Sequence, residues 1–233
     1  MDYRDRHVVV TGGTGALGTA MVGALLEAGA VCHVPYLDQA KADRFAFCNH
    51  PKVKLLADIE LREETAVAKL YASVSRLWAS IHIAGGFAMA PITETTRADL
   101  MKQIDVNLVT AFLCCRASIS SMLRVGAGGR IVNVATRPAL EWRAGSGMVA
   151  YTASKTAVAA LTVALAEEVV RAGILVNAVA PSTMDTPANR QAMPDADHAS
   201  WAKVEEVAAT ILFLASPENR VTRGAVVPVY GRS

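Results

Sequence analysis

The sequence is poor in the residues that mark secreted and metal-binding proteins. It has only four cysteines (Cys32, Cys48, Cys114 and Cys115), and none of them forms a Cys-x-x-Cys pair. This spacing argues against a disulfide framework and indicates reduced, packed cysteines, as expected for a cytoplasmic protein. The five histidines show no metal-ligand spacing, so no metal site is expected.

An excess of one charge and long apolar runs are also lacking. The formal net charge is +2, and the absence of a long Lys/Arg run argues against a nucleic-acid partner. The charged segment from Met1 to His7 leads straight into a strand-like run, so neither a signal peptide nor a membrane span is expected. With 233 residues, 52% of them hydrophobic, the chain can bury one sizeable core, and a single domain over residues 1–233 is predicted.

A strand, a glycine-rich turn and a helix follow one another near the start of the chain. The β-branched run His7-Val-Val-Val10 predicts a buried strand. It ends in Thr11-Gly-Gly-Thr-Gly-Ala-Leu-Gly18, in which Gly13, Gly15 and Gly18 have the dinucleotide-binding spacing. Glycines at these positions let a pyrophosphate approach the helix N-terminus, where free N–H groups favour anions. A plain glycine-rich turn is the alternative.

The end of the second predicted strand, Ala30 to Tyr36, bears on the choice between NAD and NADP. An acidic residue at this point usually holds the ribose hydroxyls and selects NAD. Tyr36 takes that place, with Asp38 two residues later, and no Arg or Lys stands in the glycine-rich turn or directly after Tyr36. These residues favour NAD, although Asp38 also fits the N-cap of the next helix.

Two further predicted strands end near small or acidic residues. Lys52 to Leu56 predicts the third strand, and Asp58 beyond it could accept a hydrogen bond from an adenine amino group or cap a helix that starts near Glu60. Leu77 to Ala84 predicts the fourth strand. The small residues Ala84-Gly85-Gly86 would let the backbone pass close to a cofactor.

The stretch Tyr151-Thr-Ala-Ser-Lys155 opens an apolar-periodic segment that predicts a helix. Residues four apart lie side by side on a helix, so the hydroxyl and the ammonium can face one pocket. A fixed cation lowers a phenol pKa from about 10 and makes the phenol a proton donor or acceptor near neutrality. Alone, such a pair is more often a half-buried tyrosine beside a solvated lysine.

In order and spacing, these motifs resemble those of the short-chain dehydrogenases/reductases over nearly the whole chain. The matching positions are Thr11-Gly12 with Ala16 and Gly18, Asp58, Ala84-Gly85, Asn107, Tyr151 with Lys155, and Asn177-Ala-Val-Ala-Pro181 with Thr186. The short remainder after Pro181 favours the compact single-domain branch over the sugar-nucleotide epimerases, which carry a separate substrate domain.

The alternation of strands and helices predicts an α/β fold, and the resemblance implies a Rossmann-type doubly wound parallel sheet of about seven strands with helices on both faces. It also implies hydride transfer between NAD or NADP and a carbonyl/alcohol pair. Tyr151 would move the proton, Lys155 would lower its pKa and hold the nicotinamide ribose, and Asn107 would bind a water that links Lys155 to solvent. The implied cofactor contacts are Gly12, Thr14, Gly15, Ala16, Leu17, Gly18, Tyr36, Asp58, Ile59, Ala84, Gly85, Gly86, Tyr151, Lys155, Pro181, Thr183 and Thr186.

The chain departs from the family pattern beside the predicted catalytic residues. Thr136 stands after the strand Arg130 to Val134, where the family has a serine, and Ser146 is a second candidate for that role. Threonine keeps the hydroxyl that would orient the substrate oxygen, but its methyl group restricts the rotamers. His82-Ile83 replaces an asparagine pair, and we expect His82 to be a buried structural residue.

The resemblance also implies partners and a lid. Residues 182–200 match the family's mobile substrate lid, and their short length predicts an open pocket or a small carbonyl/alcohol substrate. The predicted helix Thr96 to Leu123 and the Tyr151 helix match the family's dimer interface, which predicts a homo-oligomer, either a dimer or a tetramer. Two alternatives remain: a pterin or quinone reductase of the same superfamily, and a nucleotide-binding sensor or scaffold with weak chemistry.

Overall fold

The computed structural model describes residues 1–232, which are organised around a seven-stranded parallel sheet. The strands are β1 (His7–Thr11), β2 (Val31–Pro35), β3 (Val53–Leu56), β4 (Leu77–His82), β5 (Gly129–Val134), β6 (Ile174–Pro181), β7 (Met184–Asp185), β8 (Ala202–Lys203) and β9 (Val226–Val229). The large sheet has the order β3-β2-β1-β4-β5-β6-β9, and β7 pairs with β8 alone. The strand order reverses between β1 and β4, which opens a crevice at the carboxyl ends of these strands.

Helices cover both faces of the sheet. They are α1 (Ala16–Glu27), α2 (Gln39–Asp43), α3 (Glu64–Ala72), α4 (Arg97–Gln103), α5 (Thr110–Val125), α6 (Arg137–Leu140), α7 (Val149–Val169), α8 (Pro187–Ala192) and α9 (Val204–Leu214). Short 3₁₀ turns lie at Ile92–Glu94, Trp142–Gly145, Val170–Ala172 and His198–Ser200. Helices α1 and α9 pack together on one face, and α3, α5 and α7 cover the other. The predicted doubly wound α/β fold of seven strands is confirmed.

The apolar run of β1 supplies the core on both faces. Val8 and Val10 pack with α1 and α9 in one cluster, whereas Val9 points to the opposite cluster. Alternate residues of a strand face opposite sides, so a strand covered on both faces reads as a continuous apolar run. This explains why the strand was evident from the sequence.

The predicted helix from Thr96 to Leu123 is interrupted by a π-helical segment at Ile104–Val109. Thr96 caps α4 in a capping box with Asp99, which confirms the predicted beginning. The wider π turn lies at Asn107, and such turns occur often at functional sites.

Two helical stretches of the described chain have the length and composition to cross a membrane, Arg97–Val125 and Val149–Ala172. The expectation that no apolar run approaches that length was therefore wrong. Of their most apolar windows, 50% and 39% respectively is buried inside the fold, and both stretches pack against the sheet. In this fold, the two long apolar stretches therefore serve as helices that cover the sheet.

His82 lies at the end of β4 in a buried polar network. Its Nδ1 lies 2.7 Å from Asn133 Oδ1 on the neighbouring β5, and its Nε2 lies 2.8 Å from Ser80 Oγ. Asn133 Nδ2 donates to Thr162 Oγ1 of α7 at 2.9 Å. His82 thus ties β4 to β5, and Asn133 ties β5 to α7, so the histidine is part of a structural network.

The region 182–200 is clasped at both ends by the last residues of the described chain. Ser182 Oγ donates to the Tyr230 carbonyl at 2.7 Å, and the Arg232 N–H donates to the Ser200 carbonyl at 2.8 Å. Between these ends lie β7 and α8. Gly231 has φ +67°, and a Cβ there would lie 2.8 Å from the Ala202 nitrogen. The clasp therefore depends on a close backbone approach.

Candidate active site

The glycine-rich turn between β1 and α1 is packed too closely for larger residues. Gly12 adopts φ +67°, and a Cβ there would lie 2.8 Å from the Ala84 nitrogen. A Cβ on Gly18 would overlap the Gly12 carbonyl oxygen, so Gly18 lets α1 lie against the turn. Gly15, by contrast, has no neighbour closer than 3.4 Å around the position of a Cβ. The turn is thus rigid on its inner side and open at Gly15.

The N-terminus of α1 is available to an anion. Gly15 is the N-cap in an extended conformation, and no side chain accepts the N–H groups of this end. The unsatisfied first-turn N–H groups and the helix dipole together favour a phosphate. The residues present therefore fit a dinucleotide.

The groove beside this turn gathers most of the predicted nucleotide contacts. The predicted residues that line it are Gly12, Thr14, Gly15, Ala16, Leu17, Gly18, Ala84 and Gly85. Lys41, Arg44 and Ile83 line it too. They were not predicted, because cations were expected only in the turn and directly after β2. The i,i+3 spacing of Lys41 and Arg44, which places both on one helix face, was the available signal.

Tyr151, Thr136 and Lys155 meet in an adjoining cavity at the carboxyl ends of β4, β5 and β6. Thr136 follows β5, is 8% exposed, and its hydroxyl lies close enough to the Tyr151 phenol to lower the pKa of that group. Lys155 Nζ donates to the Val134 carbonyl at 2.7 Å. Ser146 is exposed and does not line this cavity. The structure thus favours Thr136 over Ser146 as the hydroxyl beside the tyrosine.

Burial dominates the ionisation of this pair. It raises the pKa of Tyr151, and only the nearby Thr136 hydroxyl opposes the shift. Burial also lowers the pKa of Lys155 to about 8. The expected lowering of the Tyr151 pKa by Lys155 is therefore not found: burial of the phenol is the largest cause of its shift, and Lys155 is not among the causes. A neutral phenol with a raised pKa is suited to donating a proton.

Asn107 is fixed by hydrogen bonds that join three parts of the site. Its Oδ1 accepts from the Gly86 N–H and its Nδ2 donates to the Gly86 carbonyl, both at 3.0 Å. Nδ2 also lies 3.1 Å from Ser154 Oγ and 3.2 Å from Gln103 Oε1. Ser154 Oγ in turn donates to the Tyr151 carbonyl at 2.7 Å. The Asn107 side chain thus anchors the segment after β4 to the helix that carries Tyr151.

Gly85 lies between the Asn107 side chain and the Lys155 ammonium group. A Cβ at Gly85 would lie 2.6 Å from Asn107 Oδ1 and 3.3 Å from Lys155 Nζ. Only a residue without a side chain therefore fits here without displacing one of the two polar groups.

The remaining wall of the cavity is largely apolar. Besides the catalytic candidates it is lined by Leu17, Ile83, Gly85, Gly86, Phe87, Val134, Ala135, Pro181, Ser182 and Met184. The Phe87 ring stands edge-on to Tyr151 at a centroid distance of 5.0 Å and is 62% exposed. Phe87 and Met184 were not predicted, because their place at the cavity depends on how the loops fold back over the sheet.

Several predicted cofactor residues do not line either cavity. The Tyr36 hydroxyl donates to Gln39 Oε1 at 3.0 Å, and Thr186 Oγ1 accepts from the Asn189 N–H as the N-cap of α8. Asp58 adopts φ +58° and lies well before α3, which begins at Glu64, so it does not cap that helix. Ile59 packs beside the core, and Thr183 is likewise outside the two linings. Their nucleotide contacts stay predictions.

Comparison with known proteins identifies the family. The short chain dehydrogenase family model matches residues 6–197, which is most of the chain and includes the glycine-rich turn, Tyr151 and Lys155. The chain therefore belongs to the short-chain dehydrogenase family.

Curated relatives and solved structures agree with this assignment. The chain is 35% identical to galactitol 2-dehydrogenase of Rhizobium johnstonii, over 96% of this chain and 93% of the relative. It is 31% identical to 2,3-dihydroxy-2,3-dihydro-p-cumate dehydrogenase of Pseudomonas putida, over 97% and 93%. The crystal structure of gox2181 superposes with a TM-score of 0.91 at 28% identity, covering 99% of this chain and 96% of the other. A structure of ElxO with NADP bound, 23% identical with a TM-score of 0.89 and covering 97% and 98%, shows the same fold.

Family, fold and site agree on the class of activity. The protein is an NAD(P)-dependent oxidoreductase that interconverts a carbonyl and an alcohol on a small-molecule substrate.

Proposed function

We propose that Tyr151 is the acid–base residue of this oxidoreductase. When bound, the nicotinamide supplies or accepts the hydride. Tyr151 gives its phenolic proton to the carbonyl oxygen during reduction and takes it back during oxidation. The observation that carries this proposal is the meeting of Tyr151, Thr136 and Lys155 in one cavity that adjoins the glycine-rich groove.

The neighbouring residues support that proton transfer. Thr136, whose hydroxyl already reaches the phenol, orients the substrate oxygen. Lys155 holds the nicotinamide ribose. Asn107 positions Gly86 and the Tyr151 helix through its four hydrogen bonds. Its predicted part in a water relay to Lys155 stays a prediction.

Replacement of Tyr151 by Phe tests the proposal. Removing a general acid–base costs about 10²–10⁴-fold in rate, so Tyr151→Phe should lower kcat by that factor on a panel of small ketones, polyols and cyclic diols. Nucleotide binding, followed by nicotinamide fluorescence, should persist. The matched control is Tyr230→Phe, which removes a phenol that does not line the cavity and should keep near-normal turnover.

The same experiment separates the two alternative functions. A pterin or quinone reductase would be inert towards the alcohol and ketone panel but would turn over a dihydropterin or a quinone. A sensor or scaffold would bind the nucleotide without turnover on any member of the panels. Turnover that survives Tyr151→Phe unchanged would show that the phenol is not the acid–base residue.

The expectations about the lid, the location in the cell and the oligomeric state stay predictions. Residues 182–200 form the substrate lid of a single 1–233 domain, and the protein is a cytoplasmic homotetramer, with a dimer as the smaller alternative. Light scattering in solution would test the oligomeric state. The sequence-based preference for NAD depends on Tyr36 and on the lack of an Arg or Lys in the turn and directly after Tyr36; Lys41 and Arg44 lie further along the chain.

A further inference from the structure

Two cations and no carboxylate line the dinucleotide groove. Lys41 and Arg44 are its charged lining residues, and the other members are the glycine-rich turn, Ile83, Ala84 and Gly85. Lys41 lies in α2, the short helix directly after β2, and Arg44 is its C-cap with a helical backbone, so their i,i+3 spacing places them on one face. In this fold the adenosine ribose lies near the end of the second strand. The cations are therefore at the adenosine end of the groove.

Neither cation is committed to a strong partner. Lys41 Nζ lies 3.6 Å from Asp38 Oδ2, and the two side chains are 62% and 51% exposed. An exposed pair of this kind contributes little and is screened by salt. Asp38 already serves as the cap of α2, because its Oδ1 accepts the Lys41 N–H at 3.1 Å. Lys41 can therefore exchange this carboxylate for a phosphate at little cost.

Arg44 is held along its stem while its end stays open. Its Nε donates to the Ala40 carbonyl at 3.0 Å, which fixes the direction of the guanidinium. Within residues 1–232, its two terminal nitrogens have no hydrogen-bond partner. Terminal guanidinium nitrogens suit a phosphate, which accepts two parallel hydrogen bonds from them.

The acidic residues that follow β2 form other hydrogen bonds and do not line the groove. The Tyr36 hydroxyl donates to Gln39, and Gln39 Nε2 donates to Asp43 Oδ1 at 2.7 Å. Neither Asp38 nor Asp43 lines the groove. An acid that would hold the ribose hydroxyls and repel a 2′-phosphate is thus missing from the lining, and two cations are present.

We propose that Lys41 and Arg44 bind the adenosine 2′-phosphate, so that the protein prefers NADP to NAD. The proposal rests on the dinucleotide-binding function of the groove and reverses the preference expected from Tyr36. A pyrophosphate is the other phosphate that the two cations could meet, but NAD and NADP share it. If the cations bind the pyrophosphate, their removal should weaken the binding of NADH and NADPH alike. If they bind the 2′-phosphate, their removal should weaken the binding of NADPH alone.

The test is a fluorescence titration of the purified protein with NADPH and with NADH. We expect the wild type to bind NADPH at least about tenfold more tightly, as loss of charge-assisted hydrogen bonds typically costs. The double variant Lys41→Ala/Arg44→Ala should lose this advantage and bind NADH within about twofold of the wild type. The control Lys69→Ala/Arg76→Ala removes two exposed cations that do not line the groove and should keep the preference.

A second titration isolates the phosphate from the nicotinamide. Calorimetry with adenosine 2′,5′-bisphosphate and with ADP should show tighter binding of the bisphosphate, and the double variant should abolish the difference. Equal or tighter binding of NADH by the wild type, or an equal loss for both nucleotides in the double variant, would overturn the proposal. Failure of the wild type to bind either nucleotide would instead refute the dinucleotide function on which the proposal rests.

Discussion

Thr136 shows how a single residue departs from the family pattern without losing its hydroxyl. Its backbone is extended at the end of β5, and the side chain is buried against Tyr151 and the Pro181 carbonyl. The packed strand end holds the β-branched side chain in place, so the extra methyl group does not turn the hydroxyl away. The sequence alone could name Thr136 and Ser146 as candidates, but only the folded loop shows which one reaches the phenol.

Two substitutions of Thr136 should separate the contribution of its hydroxyl to activity from that of its methyl group. Thr136→Ser keeps the hydroxyl, and we expect kcat/KM within about threefold of the wild type, whereas Thr136→Ala should lose about 10–100-fold, the usual cost of one hydrogen bond to a developing charge. Nucleotide affinity should be unchanged in both. Equal activity of the alanine variant would show that Tyr151 works without this hydroxyl.

At the scale of the element, the π-helical segment at Ile104–Val109 is the feature that sequence reasoning could not foresee. The apolar periodicity and the Thr96 cap predict a helix, and both are local signals. The wider turn is associated instead with tertiary contacts, since Asn107 must reach Gly86, Ser154 and Gln103 at once. Nothing in the periodicity encodes those partners.

Removal of the Asn107 amide should therefore weaken the elements that it joins. Asn107→Ala leaves the Gly86 N–H and carbonyl without their buried partner, and we expect a loss of about 1–3 kcal/mol in the free energy of unfolding. Urea denaturation measures this loss, and kcat should fall together with it. Gln103→Ala, which removes only one acceptor of Nδ2, is the milder control. An unchanged unfolding midpoint in Asn107→Ala would contradict the anchoring role.

For the whole molecule, the sequence predicted the sheet better than the site. Strands buried on both faces and helices with local caps are encoded by neighbouring residues, so β1, the beginning of the helix after Thr96 and the α/β order could be predicted directly. The contribution of Lys41 and Arg44 to the groove, and that of Phe87 to the cavity wall, depends on chain segments that meet only in space. Thr186 uses its hydroxyl to cap α8, and its predicted nucleotide contact stays a prediction.

Stability should depend on pH through the buried histidine of the sheet. Burial lowers the pKa of His82 to about 4, below its unfolded value of about 6.5. The unfolded chain therefore binds the proton more readily, so this stabilisation is complete above pH 6.5 and is lost as the pH falls towards 4. The difference amounts to about 3 kcal/mol.

The measurement is urea unfolding between pH 7.5 and pH 4. His82→Asn keeps a polar side chain that can face Asn133 but does not titrate, so its stability should fall less steeply over this range than that of the wild type. Parallel curves for the two proteins would show that the imidazole does not contribute to the acid sensitivity. Carboxylates titrate equally in both and cancel in the comparison.

The clasp formed by Tyr230 and Arg232 makes the tail of the chain a working part of the region beside the pocket. Ser182 and Ser200 are both hydrogen-bonded to it, so a fusion or affinity tag joined directly after these residues would pull on residues 182–200, the predicted lid. Recombinant protein intended for kinetics is therefore better extended at its amino end. Changes that break these two hydrogen bonds should be judged by their effect on residues 182–200 as well as on folding.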